Sequence, residues 1–447
     1  MSLIHIGLSG TLAAQAALNM AGRNTANLKT PGYSRQGVLL AAHSTGGVGV
    51  QSLLRFSDNY KTQQMSAANG PLGQYKTASS YFSQLENVMD TGDGSVKAGL
   101  DAFFNALQEV STDPTSGPLR QQFLSSADAL AKGFNNLQQR LSGQLGAARQ
   151  HGVAAVDQVN GLSRTIADLN QKIGDGYASG SVPSELIDQR DSAIDALAGL
   201  VEIRTLQQPS GAVDVSIAGG PPLVAGSQVG TMSVQNHADG TFSFSLKLAG
   251  TAYPLTGGTL GGELGAIANF VDTTLLPQME SIKTLAGEIA TRFNGTLAAG
   301  YGMNGQPGQA LFDFDPATGL LNVRVGLTQQ DLGFSGNPDE PGNSDNLLKL
   351  IGLRRDNITL PGIGEVSIGD ALTVLIGKVG SASQQNEALL GTATSIRDYA
   401  EDAWLSVSGV NMDEEAVNIS EYLQMYQANM KVIAVANELF DATLAMF

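Results

Sequence analysis

The last stretch of the chain sets the tightest limit on what it can fold into. From Ala416 to Phe447, the residues Ala416, Ile419, Leu423, Tyr426, Met430, Ile433, Asn437, Phe440, Leu444 and Phe447 follow one another in alternating steps of three and four. A repeat of about 3.5 residues is the seam of a left-handed coiled coil, narrower than the stripe of an ordinary surface helix. Asn411 predicts the cap, with Glu414 as its capping-box partner. Asp413, Glu414 and Glu415 place negative charge against the helix dipole. The expected helix is about 55 Å long and meets no stop signal before Phe447. Such a seam needs a cover, either the core of its own domain or a neighbouring subunit.

The opposite end makes the second cover the better reading. Residues 2–28 also predict a helix. Ile4, Leu8 and Leu12 lie on one side, Leu18 continues it, and Ala13, Ala14, Ala16, Ala17 and Ala21 favour helix and let a second helix approach closely. Two apolar terminal helices are the layout of a subunit that polymerises through its joined ends.

Composition narrows the classes further. The 447 residues suffice for about three domains. No apolar run is long enough to span a membrane, and residues 1–20 lack the pattern of a cleavable secretory signal. The absence of cysteine favours work outside the cell without disulfides. A net charge of −16 argues against nucleic acid or an anionic membrane as partner. Charged residues make up only 15% of the chain and there are 54 glycines, which suits surfaces that meet other subunits.

In chain order, Pro31 and Gly32 must stop the first helix. Residues 33–58 read as extended, with Gly46, Gly47 and Gly49 loosening the middle. Helix resumes at 58–90, with an interruption expected at Gly70-Pro71, and again at 96–111. Pro118 opens the longest helical pattern, carried from Leu119 to Ile173, with Gly146 and Gly152 as possible bends. A shorter helix follows at 184–200, whose carboxylates Glu185, Asp188 and Asp191 read as a solvated face. At Val201 the period changes to two, and the alternation from Met232 to Leu248 around Asp239-Gly240 predicts a hairpin. Helix returns at 263–298 with a kink at Pro277. Residues 299–345 read as a loop excursion with one short strand near Leu321, and 367–408 as helix.

Little in the sequence suggests catalysis. Gly300, Gly302 and Gly305 match a dinucleotide-loop spacing, but follow a helix where a strand is required, and read as a turn. The histidines His5, His43, His151 and His237 are scattered without metal-ligand spacing. Asp313 and Asp315 resemble the start of a calcium loop, but Arg324 occupies the final ligand position. No cofactor or metal is expected, and the chain does not read as an enzyme.

The two ends carry a resemblance. Asn24-Thr25-Ala26-Asn27, continuing through Thr30-Pro31-Gly32-Tyr33-Ser34-Arg35-Gln36, resembles the N-terminal signature of the flagellar axial proteins, the rod, hook and hook-associated proteins. Gly409-Val410-Asn411-Met412-Asp413-Glu414-Glu415 is similar to the C-terminal run of the hook-associated branch at the hook–filament junction. Leu186-Ile187-Asp188-Gln189-Arg190-Asp191 resembles an internal stretch of the same branch. The resemblance implies an elongated multidomain α+β fold. Residues 1–57 and 405–447 would form a terminal helical polymerisation domain of paired coiled-coil helices, 58–200 and 263–404 a long-helix rod, and 201–262 a small inserted β-rich domain. It implies a structural subunit with no catalytic role, exported to the flagellum through the type III apparatus without a cleaved signal. The implied partners are copies of itself, the hook protein, the next junction protein and a cytoplasmic export chaperone. The segment after residue 300 is shorter than in larger members, which implies that an outermost domain is missing. The alternatives are a hook protein, hook-associated protein 3, or a secreted adhesive protein using the same export ends. Length and the Gly409–Glu415 run speak against the first two.

Overall fold

The computed structural model describes residues 3–44, 46–89, 92, 94–180, 183–237 and 240–446. Phe447, the last seam position, and Asp239 of the predicted turn lie outside the described residues. The first helix, α1 (Leu3–Ala26), leads into a hairpin of β1 (Gln36–Ala42) and β2 (Val48–Arg55). Three helices begin the rod: α2 (Asn59–Val88), α3 (Val96–Val110) and α4 (Gly117–Ala178). Each starts where a side chain satisfies free backbone N–H groups: Asp58 accepts from Tyr60 and Lys61, Ser95 from Ala98, and Ser116 from Leu119.

At 62 residues, α4 is about 93 Å long. It runs unbroken through Gly146 and Gly152. Gly152 serves a different purpose, since a Cβ there would stand 3.1 Å from the Phe244 ring. The position is a site of close approach. Helix α2 likewise continues through Gly70 and Pro71, against expectation. Gly70 lies against Glu202, and Gly73 lies close to the Gly199 carbonyl, so packing on α5 (Ser184–Leu200) and its exit carries the helix past one missing donor.

Two antiparallel sheets follow α5. One has β3 (Ile203–Gln207), β4 (Val213–Ile217), β5 (Pro222–Ala225) and β6 (Gln228–Val229). The other has β7 (Thr231–Asn236), β8 (Phe242–Leu248) and β9 (Thr251–Leu255). The predicted hairpin is β7–β8. The sheets dock on α4 through asparagines that pair both backbone groups of a strand residue. Asn160 donates to Met232 O at 2.9 Å and accepts from its N–H at 2.8 Å, and Asn170 does the same at Val213. Their inward residues, among them Val215, Leu223 and Leu246, belong to the same continuous core as the rod.

The chain returns through α6 (Gly257–Leu260), α7 (Gly262–Phe270) and α8 (Leu276–Ala298). The break expected at Pro277 is a π-turn over Val271–Leu275. Leu276 N–H reaches back to Val271 O, and Pro277 then sits in the first turn of α8, where no donor is needed. His151 bridges α2, α4 and α7, with Nδ1 2.8 Å from Tyr81 Oη and Nε2 2.8 Å from Glu263. Burial, and then Glu263, push the Tyr81 phenol up to about 12.

Residues 299–345 correct the expectation of a loop excursion. They carry the hairpin β10 (Phe312–Phe314) with β11 (Leu321–Val323) and close over the rod base, burying Leu311, Phe312, Leu321, Leu332 and Phe334. Arg120, fully buried, donates to Pro114 O, Gln329 O and Leu332 O, and its guanidinium lies over Phe334. Phe103 stands 4.9 Å from Phe293 and 5.1 Å from Phe123, ring to ring. Tyr301 bridges to Ser335, and Gly305 adopts φ 70°, so the glycine-rich run is a turn. Asp313 pairs with Arg324.

The chain then adds α9 (Asp345–Gly352) and a hairpin of β12 (Asn357–Leu360) with β13 (Gly364–Ser367). It ends in two long helices, α10 (Ala371–Ser408) and α11 (Met412–Leu444). Helix α10 packs along α2, and α11 packs along α1. Among the described residues no helix is long and apolar enough to cross a membrane, and no cluster of His, Asp or Glu could hold a metal ion.

Candidate functional site

Helices α1 and α11 run antiparallel, and what brings them together is the absence of side chains. A Cβ at Gly7 would stand 2.8 Å from Ile433 Cγ1, and one at Gly10 would overlap the Asn429 amide. Ala13, Ala14, Ala17 and Ala21 continue this buried small-residue face. The facing residues of α11 are Glu415, Ile419, Tyr422, Met425, Tyr426, Asn429, Ile433 and Ala436, all buried or half-buried.

The ten-residue seam therefore divides. Ile419, Tyr426 and Ile433 turn towards α1. The heptad-spaced line of Ala416, Leu423, Met430, Asn437 and Leu444 turns away and is exposed. Phe440 would continue the inner line, but α11 outruns its partner: every residue from Asn437 to Met446 is exposed, Phe440 at 61%. On α1, Leu8 and Leu12 lie on the outer face, Leu12 at 58%, and Leu18 is half-buried. The pair is thus sealed inside and apolar outside.

The signature residues build the joint below this pair. Thr30–Tyr33 form a turn, closed by Tyr33 N–H to Thr30 O at 3.3 Å, with Pro31 second and Gly32 third at φ 74°. Asn27 ties the turn down, donating to Arg23 O and accepting from Thr30 Oγ1. Asn24, 1% exposed, pairs both backbone groups of Gln36 at 2.8 and 3.1 Å and accepts from the Tyr33 hydroxyl at 2.9 Å. Burial raises the Tyr33 phenol above its ordinary range, and Asp188 and Glu415 add to the shift against Arg23.

Arg35 joins the two ends of the chain. Its Nε donates to Glu415 at 2.7 Å, its Nη1 to Glu414 at 2.6 Å, and its backbone N–H to Ser408 O at 2.8 Å. Asn411 caps α11 as expected, accepting from Asp413 and Glu414 N–H. The Glu414 carboxylate does not close a capping box. Its pairing with Arg35 takes that place, because an arginine presents a stronger donor than a backbone amide. Gly409 is required because a Cβ would meet the Leu405 carbonyl at 2.5 Å. Val410 lines the same cleft as Trp404.

The carboxylates of α5 also differ from the solvated face expected of them. Arg55 donates to Asp188 and Asp191, both at 2.8 Å, and Ser34 N–H points to Asp188. Only Glu185 is exposed, paired with Arg23. Burial raises the Asp188 carboxyl above its usual range although Arg55 draws it down. Sequence reasoning missed Asn24 as a strand partner and Arg55 as an ion-pair centre. The small-residue spacing at Gly7 and Gly10 was the available signal for the helix contact.

A long-helix rod with paired terminal helices, apolar on their outer faces, is the architecture that the resemblance of the two ends to flagellar axial proteins implies. The family model of the flagellar hook-associated protein FlgK helical domain matches residues 82–312, over half the chain. The chain belongs to this FlgK family of flagellar hook-associated structural proteins. A second model, of the flagellar basal body rod FlgEFG protein C-terminal, matches residues 402–446. The chain is 26% identical to flagellar hook-associated protein 1 of Escherichia coli K12, over 99% of both chains, and 28% identical to that of Bacillus subtilis 168, over 97% of this chain and 95% of the relative. The E. coli alignment runs over 544 positions against 447 residues here, so the relative carries about a hundred positions without a counterpart. The structure of the flagellar hook junction protein FlgK from Burkholderia pseudomallei shares the fold, with a TM-score of 0.65 over 77% of this chain and all of that one, at 17% identity.

Proposed function

We propose that this chain is the structural subunit that joins hook to filament, assembling through its terminal helices. The observation that carries this reading is the outward line of Leu423, Met430 and Leu444 with Leu8 and Leu12 on the partner helix, an apolar surface that the chain itself leaves uncovered. Residues 1–57 with 405–447 form the assembly part, 58–200 with 263–404 the rod, and 201–262 the outer surface. Neighbouring copies, the hook protein and the next junction protein cover the outer faces in the mature structure, outside the cell. Before export, a cytoplasmic chaperone covers residues 410–447, with Leu423, Met430 and Phe440 as anchors on the exposed surface and Ile433 as an anchor when α11 is parted from α1, because a bare apolar helix is an aggregation hazard. A chain ending at Gly409 then fails to retain the chaperone in a pull-down. The decisive experiment is deletion. Cells lacking the protein are expected to build hooks and release unpolymerised flagellin, whereas normal filaments on those hooks would overturn the assignment.

A further inference from the structure

The terminal unit comprises α1, the hairpin β1–β2 and α11. The hairpin is bonded to α1 at both of its ends, where Asn24 pairs the backbone of Gln36 and Val48 N–H donates to Ser9 Oγ at 3.2 Å. Two short links join this unit to the rod, residues 56–58 and 409–411. Among the described residues, none in 3–55 or 412–446 belongs to the apolar core of the rod. What holds unit and rod together between the links is polar.

The polar ties are unequal. Arg23 pairs with Glu185, but both side chains are at least half exposed, and such a pair contributes little. Arg35 N–H donates to Ser408 O, a single backbone bond. Arg55, at the end of β2, makes the strongest tie. Its Nε donates to Asp188 and its Nη2 to Asp191, both at 2.8 Å, and the three side chains are only 10%, 11% and 18% exposed. Both receiving carboxylates are held in place. Asp188 accepts from Ser34 N–H, and Asp191 accepts from Arg190 at 3.1 Å, whose Nη1 donates in turn to Gly211 O at 2.7 Å. Two clefts of about 370 Å³ each flank this contact, one beside Pro31 and Trp404, the other beside Leu54 and Tyr177. Arg55 and Asp191 line both. The contact is a narrow wall between two open spaces, where close packing does not fix a direction.

We propose that Arg55 is a positioning residue, whose fork on Asp188 and Asp191 sets the direction of the whole terminal unit against the rod. It rests on the proposed junction role only for its purpose, which is to present the outer faces of α1 and α11 to neighbouring copies at one angle. Without the fork the unit keeps its own contacts and its two links, and loses its direction.

The chain lacks cysteine, so an introduced pair reads the contact without interference. A Cβ at Gly32, in the terminal unit, would stand 3.5 Å from Ser192 Cβ on α5, within the range of a disulfide. The full-length chain with Gly32→Cys and Ser192→Cys, equilibrated with reduced and oxidised glutathione, gives the effective concentration of one thiol at the other. Gly32 has φ 74°, which strains any other residue, so every comparison is made within this background. Adding Arg55→Ala should lower the effective concentration by about tenfold or more, because two shielded, charge-assisted bonds are lost. Adding Arg23→Ala instead, which removes the exposed tie, should lower it by about twofold or less. Arg55→Ala combined with Asp188→Asn should stay as low as Arg55→Ala alone. An unchanged effective concentration in Arg55→Ala overturns the proposal, as does an equal fall in Arg23→Ala. Recovery with Asp188→Asn would also overturn it, by assigning the fall to a stranded buried charge instead of the missing fork. None of these measurements involves hook or filament, so the hook–filament assignment stands or falls separately.

Discussion

Helices α4 and α11 are both long, both regular and both read from apolar residues three and four apart, yet they use those residues in opposite ways. Helix α4 buries an apolar residue at nearly every turn from Phe123 to Ile173, against α3, α5, the sheets and the hairpin β10–β11. Helix α11 has only Glu415 and Ala436 fully buried, and exposes Leu423, Met430, Phe440 and Leu444. The rod is complete within one chain. The terminal pair is complete on one side only, and its outer line has the same 3.5-residue spacing that a second helix would fill. Equal hydrophobicity therefore says nothing of where the partner lies; the partner's small residues do.

This contrast can be broken first at the rod. Phe293→Ala empties a space between Phe103 and Phe104 and should cost about 3–5 kcal/mol, lowering the midpoint in urea while the slope is kept. A change within error would mean that the aromatic cluster is not the centre of stability. At the joint the expected loss is smaller. Asn24→Ala leaves both backbone groups of Gln36 and the Tyr33 hydroxyl without their partner, at about 1–3 kcal/mol, and hydrogen exchange at the Gln36 amide should accelerate more than exchange in α4.

Acid sharpens the same distinction. Asp188 titrates above its unfolded value because burial disfavours its charge. Between the two values the folded chain binds more protons, so its contribution to stability grows as pH falls through the folded value and is lost as pH rises above it. Asp188→Asn should remove that part of the slope of stability against pH, and an unaltered slope would show that another group sets it. On α11, Asn437→Leu should leave stability unchanged, because the side chain is exposed. If it selects register among subunits, the variant forms irregular oligomers by light scattering and loses filament retention. Normal filaments with an unchanged oligomer profile would make Asn437 a plain surface residue.

Much of the rod was legible because its helices announce themselves locally: the apolar spacing from Leu119 to Ile173 marks α4, and the change of period at Val201 marks the sheets. The misreadings share a cause. Asp188 and Asp191 look solvated until Arg55, far away in sequence, is brought beside them. Pro71 looks like a break until α5 packs beside its helix. The glycine- and proline-rich residues 299–345 look loose because their order comes from Arg120 and the aromatic cluster, on other segments. At the terminal pair the spacing of α11 was readable. The division of its seam into an inner and an outer line was not, because Gly7 and Gly10 decide it from the other end of the chain.

The central claim is that the outer face of α11 serves assembly and contributes nothing to the fold of the single chain. The most direct test is a chain carrying Leu423→Ala, Met430→Ala and Leu444→Ala together, measured for its unfolding midpoint in isolation and for junction formation in cells. The account predicts a rod transition within about 0.5 kcal/mol of the unaltered chain and no junctions; a lowered transition with junctions still formed would contradict it.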